Sequence, residues 1–162
     1  MRKRSFLCQV FRVAKDFGIE QTSVNRIINS YISICRRDLL SGMEVRFLNL
    51  VSLIPSTLST EEVKTTAFYA KEVAQDTNMP YHTVLAVIKN YLDGLYQDIM
   101  LKNNVDIRRI VRIHVMRKGS KFTVHSAVSA SVKETLQGEN SVRVHTSKYL
   151  MSMVADIAEV AV

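Results

Sequence analysis

The chain has only two cysteines, Cys8 and Cys35, and no CxxC pair or Cys/His cluster with the spacing of a zinc site. That excludes a disulfide-stapled fold and a structural zinc module. Each cysteine falls within an apolar helical pattern, and the expectation is a pair of buried structural thiols. No apolar run approaches the roughly 18 residues needed to span a bilayer as a helix. The start, Met1-Arg2-Lys3-Arg4-Ser5-Phe6, opens like a signal peptide, but Arg12 and Lys15 interrupt any apolar stretch. The expectation is a soluble, intracellular protein without a membrane partner.

Catalytic signatures are also missing. There is no phosphate-binding glycine loop, no GxGxxG and no GxSxG. The histidines His82, His114, His125 and His145 are scattered, with no spacing suited to a metal. Glu61 and Glu62 are adjacent carboxylates in what reads as the first turn of a helix, where they favour its dipole. A non-enzymatic protein without metal or cofactor is expected.

Positive charge is present in excess. Across 162 residues, 22 Lys/Arg oppose 15 Asp/Glu, a net charge of +7. Residues 1–56 carry nine basic residues against four acids, residues 57–102 four against six, and residues 103–162 nine against five. The positive field thus belongs to the two ends, which favours an anionic partner, nucleic acid above all.

The chain also repeats itself at a spacing of 60 residues without a gap. Val13-Ala14 meets Val73-Ala74, Asp16 meets Asp76, Val24 meets Val84 and Ile28 meets Ile88. Tyr31 then meets Tyr91, Asp38 meets Asp98, and Val45 meets Val105. The matches fall mostly on apolar positions, as a shared core requires. A unit of this size is a duplicated small module rather than a solenoid repeat.

Hydrophobic periodicity gives each copy two helices. Phe6, Leu7, Val10, Phe11, Ala14 and Phe17 form the first stripe, stopped by Gly18. Val24, Ile27, Ile28, Tyr31, Ile32, Cys35 and Leu39 form the second, ended by Gly42. A strand or hairpin over 43–54 closes at Pro55, and 55–59 is the only linker candidate. Ser59 with Glu62 predicts a capping box for a helix over 60–77. A fourth helix from Thr83 carries Val84, Val87, Ile88, Tyr91, Leu92, Leu95 and Ile99. Beyond it come a strand over 105–117, a Lys118-Gly119-Ser120 turn, an alternating segment over 121–133 and a turn around Gln137-Gly138-Glu139-Asn140. A short strand, Val142-Arg143-Val144, leads to a final helix bearing Tyr149, Leu150, Met153, Val154, Ile157 and Val160. Arg108, Arg109, Arg112, Arg117, Lys118 and Lys121 line one strand and its turn, with Lys133 and Arg143 on the ribbon beyond. Such side chains can hold phosphates on both sides of a groove without reading sequence. Leu136, near the expected ribbon tip, is either a wedge between base pairs or a turn residue.

This order of elements resembles the HU/IHF family of DNA-bending proteins. Ala14, Gly18, Ile19, Val24, Ile28, Tyr31, Leu39, Gly42, Val45 and Phe47 in the first copy match the family's spacing, as do Ala74, Val84, Ile88, Tyr91, Leu92, Val105 and Ile107 in the second. Three family features are replaced. Asn49-Leu50-Val51 and Arg109-Ile110-Val111 stand at the Gly-Phe-Gly turn, Thr135-Leu136 near the wedge proline, and Ser147-Lys148-Tyr149-Leu150 at the basic start of the last helix. The resemblance implies an α+β fold of tandem modules, a truncated one over 1–56 and a complete one over 57–162. A helical-hairpin base would carry an antiparallel sheet, one long β-ribbon arm and a C-terminal helix. It implies binding to double-stranded DNA, as a homodimer or an intramolecular pseudo-dimer, in a bacterial nucleoid or, for a phage-encoded chain, a virion. The alternative is a virion or other assembly protein that keeps the fold and uses ribbon and helices for protein contacts, including docking by Ala158-Glu159-Val160-Ala161-Val162.

Overall fold

The computed structural model describes residues 6–138 and 140–157, which form a mixed α+β structure of six helices and two antiparallel three-stranded sheets. Glu139, Val160 and the proposed docking segment 158–162 lie outside the described residues.

Helices α1 (Phe6–Phe17) and α2 (Gln21–Leu40) recur as α3 (Thr66–Thr77) and α4 (Tyr81–Met100). The 60-residue repeat is kept in the backbone. Gly18 ends α1 at φ 64° and Asn78 ends α3 at φ 54°, each in the left-handed region that closes a helix. The amide of Ile19 donates to Ala14 and that of Met79 to Ala74, both at 3.2 Å.

Two helix expectations are corrected. The buried side of α1 is Gln9, Val10, Val13 and Ala14, while Leu7, Phe11 and Phe17 point outward and Cys8 is exposed. Among the described residues helix α1 packs on α2 and α4 along one side, and the other half of its apolar stripe faces outward. Cys35 is buried as expected. The third helix starts at Thr66 rather than 60, because Thr65 caps it by accepting from the Phe68 amide at 3.1 Å. Ser59 instead gives its amide to Gly42, and the Thr60 hydroxyl accepts from the Glu62 amide.

The first sheet begins with β1 (Val45–Phe47) and β2 (Val51–Pro55); the second contains β3 (Val105–Ile107), β4 (Val111–Lys118) and β5 (Lys121–Val128). The chain then forms a short helix α5 (Ala130–Thr135), strand β6 (Val142–Thr146) and helix α6 (Lys148–Ala155). Strand β6 touches β5, with the Ser126 and Thr146 hydroxyls 3.0 Å apart, but shares no ladder with it. It pairs antiparallel with β2, Leu53 opposite Val144 and Ile54 opposite Arg143, and completes the first sheet.

Each sheet therefore ends the same way. Ser129 after β5 donates to the carbonyl of Ile110, and Ser147 after β6 donates to that of Leu50, both at 2.8 Å. Val132 and Leu150, three residues on, are fully buried. A second internal correspondence, with a shift of 18 residues, thus relates β5–α5 to β6–α6.

The expected long ribbon is corrected to a short one. Alternation breaks at Val128 because Val132 and Leu136 recur at helical spacing, and α5 replaces the outer part of the arm. The hairpin turns at Gly119, whose φ of 65° the turn requires. It is packed down nearly to its turn, since Val115 and, one pair from the tip, Phe122 are buried.

The copies interlock. Ser30 donates to Asp76 at 2.6 Å, and Asn90 donates to Asp16 at 3.3 Å, the same contact with the copies exchanged. Arg12 lies over Gly94, where a β-carbon would collide with its guanidinium, and donates to Asn90 Oδ1 at 2.6 Å. Arg26 donates to the Thr77 carbonyl at 2.9 Å, and Gln9 bonds to Asp98. Tyr31, Tyr69, Tyr91 and Phe47 are among the largest fully buried side chains beneath the sheets. Tyr31 meets the edges of Phe47 and Tyr69 at 6.1 Å.

Candidate nucleic-acid interface

Strand alternation sorts the basic residues by face. In β4, Val111, Ile113 and Val115 are buried, so Arg112, His114 and Met116 face outward with the tip residue Lys118. The register sets Arg112 opposite Ala127 and Asp106, His114 opposite His125, and Lys118 opposite Lys121. In the first sheet Arg46 stands between buried Val45 and Phe47, and Arg143 and His145 face outward on β6. The outer faces of both sheets therefore carry Arg46, Arg112, Lys118, Lys121 and Arg143, with Glu44 beside Arg46 and Asp106 opposite Arg112 as acids. Opposed Lys118 and Lys121 repel each other across a two-residue turn, a cost that an anion at the tip removes. Arg117 is held at the same tip, its Nε donating to the Gly119 carbonyl at 3.0 Å.

Arg108 and Arg109 lie elsewhere. They form the β3–β4 turn, at the opposite end of β4 from the tip and about 23 Å from it at 3.3 Å per residue. Arg109 holds φ 65°, as Asn49 holds 63° at the matching turn, so these two residues take the left-handed conformation without glycine. The Arg108 guanidinium stacks on Phe6, 4.4 Å from the ring centroid. Arg36 donates to the Arg109 carbonyl at 3.2 Å and to the Ser131 hydroxyl at 3.3 Å. Burial and the Arg109 charge push the Arg36 guanidinium below its ordinary pKa. Three arginines thus gather at one shoulder of the molecule.

Two assignments are corrected. Lys133 is on α5, not on a ribbon strand. Leu136 caps the C-terminal end of α5 and packs partly buried against the core, so it is no wedge at an arm tip. The eight basic residues consequently form three groups: outer sheet faces and tip (Arg112, Arg117, Lys118, Lys121, Arg143), shoulder (Arg108, Arg109), and helix (Lys133). Sequence reasoning missed Arg46 and Arg36. Strand alternation around Arg46 could have found the first; nothing in the local pattern of α2 marks the second.

His114 and His125 face each other edge to face with centroids 6.1 Å apart. Among the described residues no group of three or more His, Cys, Asp or Glu could hold a metal ion, and no helix is long and apolar enough to cross a membrane. Comparison with protein-family models and with curated proteins finds no match.

Proposed function

We propose that this chain is an architectural, largely sequence-non-specific DNA-binding protein of the HU/IHF type, with both halves of the family's dimer in one polypeptide. The observation that carries the reading is the outer surface of the two sheets, where Arg46, Arg112, Arg143, Lys118 and Lys121 project from alternating strand positions above a common helical base. Contacts from such residues go to phosphates, which give affinity and position without sequence reading. The exchange-related pairs Ser30–Asp76 and Asn90–Asp16 support the single-chain pseudo-dimer. Among the described residues the hairpin tip, at Gly119, belongs to the second half. In the first, β2 and β6 part at Ser56 and Ser141, joined by a 2.8 Å backbone bond. Sharp kinking by two wedged arms is not part of the proposal. A nucleoid or virion setting follows from the same reading.

The test is retention of duplex DNA at two salt concentrations. The logarithm of affinity should fall linearly with that of salt, by about 0.9 per phosphate contacted. Replacing Arg112, Lys118, Lys121 and Arg143 by Glu should abolish retention. Binding that ignores salt would overturn the reading.

A second reading, a structural or assembly protein, is favoured by one observation. Leu7 is 73% exposed, Phe11 55% and Leu101 65%, and all three line a groove between α1 and α4. Light scattering that gives the same mass for the parent and a Leu7→Gln/Phe11→Gln variant would count against it.

A further inference from the structure

The 60-residue repeat gives the molecule two matching shoulders, and they have diverged. On the first, Arg108 stacks on Phe6 at 4.4 Å, its Nη1 is 3.5 Å from Asn29 Oδ1, and Arg36 reaches Ser131. The 60-residue shift puts Leu48 where the other shoulder has Arg108, Thr66 where it has Phe6, Lys89 for Asn29 and Tyr96 for Arg36. The 18-residue shift puts Tyr149 at the place of Ser131. Tyr96 and Tyr149 in fact meet, as Arg36 and Ser131 do, with rings stacked 5.9 Å apart at 20°. Leu48 and Thr66 are too short to fill the space that Arg108 and Phe6 fill. A cavity of about 380 Å³ opens there, lined by Leu48, Asn49, Thr66, Lys89, Tyr96 and Tyr149, with Leu92 and Asp93 completing the wall. Leu48 is 63% exposed and Tyr149 52%.

We propose that this cavity binds the base of an unpaired nucleotide, stacked against the Tyr96–Tyr149 pair with its phosphate at Lys89. The proposal rests on the nucleic-acid reading above and adds a second, single-stranded ligand to it. On the first shoulder the same space is taken by a flat guanidinium lying on a ring, so its shape suits a planar group. The two rings lie nearly parallel, 20° apart, and present one aromatic platform. The Asn49 amide, Thr66 hydroxyl and Asp93 carboxylate offer both donors and acceptors to a base edge. Lys89 is exposed and supplies the positive charge a phosphate requires. Stacking of this kind accepts any base, in keeping with a protein that does not read sequence.

Fluorescence anisotropy on the full chain tests the site with three labelled probes: a short thymidine oligomer, a blunt duplex, and that duplex with a single-stranded overhang. Tyr149→Ala should weaken the oligomer and the overhang about tenfold and leave the blunt duplex unchanged, while Tyr149→Phe keeps all three. Lys89→Glu, a surface change, should repeat the loss if Tyr149→Ala melts early. Arg112→Ala should weaken every probe alike. Blunt-duplex binding with an oligomer affinity indifferent to Tyr149→Ala and Lys89→Glu overturns the site and spares the duplex reading. Failure to bind any probe overturns both, and capture of an apolar peptide that the oligomer cannot displace overturns the nucleobase assignment.

Discussion

The Ser30 hydroxyl, buried on α2, donates to the Asp76 carboxylate of α3 across 2.6 Å, one of the bonds that tie the first copy to the second. Hydrogen bonds to charged groups contribute about 1.5–3 kcal/mol, reduced here because Asp76 is exposed. Ser30→Ala should cost about 1 kcal/mol, measured by urea unfolding. A matching loss in Asp76→Asn and no further loss in the double variant would establish the pair as one interaction.

Asp38 is the buried carboxylate of the base, with Lys64 Nζ 2.9 Å from Oδ2 and Arg37 Nη2 2.9 Å from Oδ1. Burial pushes its pKa up, but the Lys64 and Arg37 cations beside it outweigh burial and hold it below the ordinary value. A depressed folded-state pKa adds stability above the unfolded-state value of about 3.9, lost as pH falls through the lower folded-state value. Urea midpoints should therefore drop between pH 5 and 3, and Asp38→Asn should flatten that limb. Lys64→Met leaves this carboxylate short of a partner and should cost about 3 kcal/mol at neutral pH.

Arg109 occupies a left-handed turn position at φ 65°, a conformation that costs a side-chain-bearing residue about 1 kcal/mol relative to glycine. Arg109→Gly should raise stability by up to about 1 kcal/mol while weakening duplex binding. A variant more stable and equally tight would remove the shoulder from the DNA surface.

Arg112 faces outward on β4 and Arg108 leans on Phe6, so the two should separate in experiment. Arg112→Ala should reduce the salt slope of duplex binding by about 1 and leave the melting temperature in place. Arg108→Ala should also cost about 0.5–1 kcal/mol of stability through the lost cation–π contact.

What was legible in the sequence follows from which signals are local. Helices α1 to α4 and α6, the Gly119 turn and strand Val142-Arg143-Val144 are written in periodicity and turn residues a few positions apart, and the repeat exposed the paired halves. The partner of β6 was not legible, because Val142-Arg143-Val144 carries the same alternation whichever edge it joins. The end of the ribbon was misread for a related reason: Val124, Val128, Val132 and Leu136 suit a strand edge and a helix stripe alike until Ser129 turns the backbone toward Ile110. For the interface, charge counting located the basic ends but could not tell face from turn. Separating Arg112 from Arg108 took the register.

The pairing of β2 with β6 has a consequence for the order in which the chain acquires structure. Leu53 and Val144 are opposite each other, so nearly the whole intervening chain must emerge from the ribosome before the first sheet can close. Helices α1 to α4 and the β3–β4–β5 sheet can form during synthesis, while β2 waits with one edge unpaired. Closing so long a loop is slow relative to local pairing. Strand β6 is thus the latch of the first sheet begun, and the nascent chain is most exposed to edge-to-edge association in the interval before residue 146 appears.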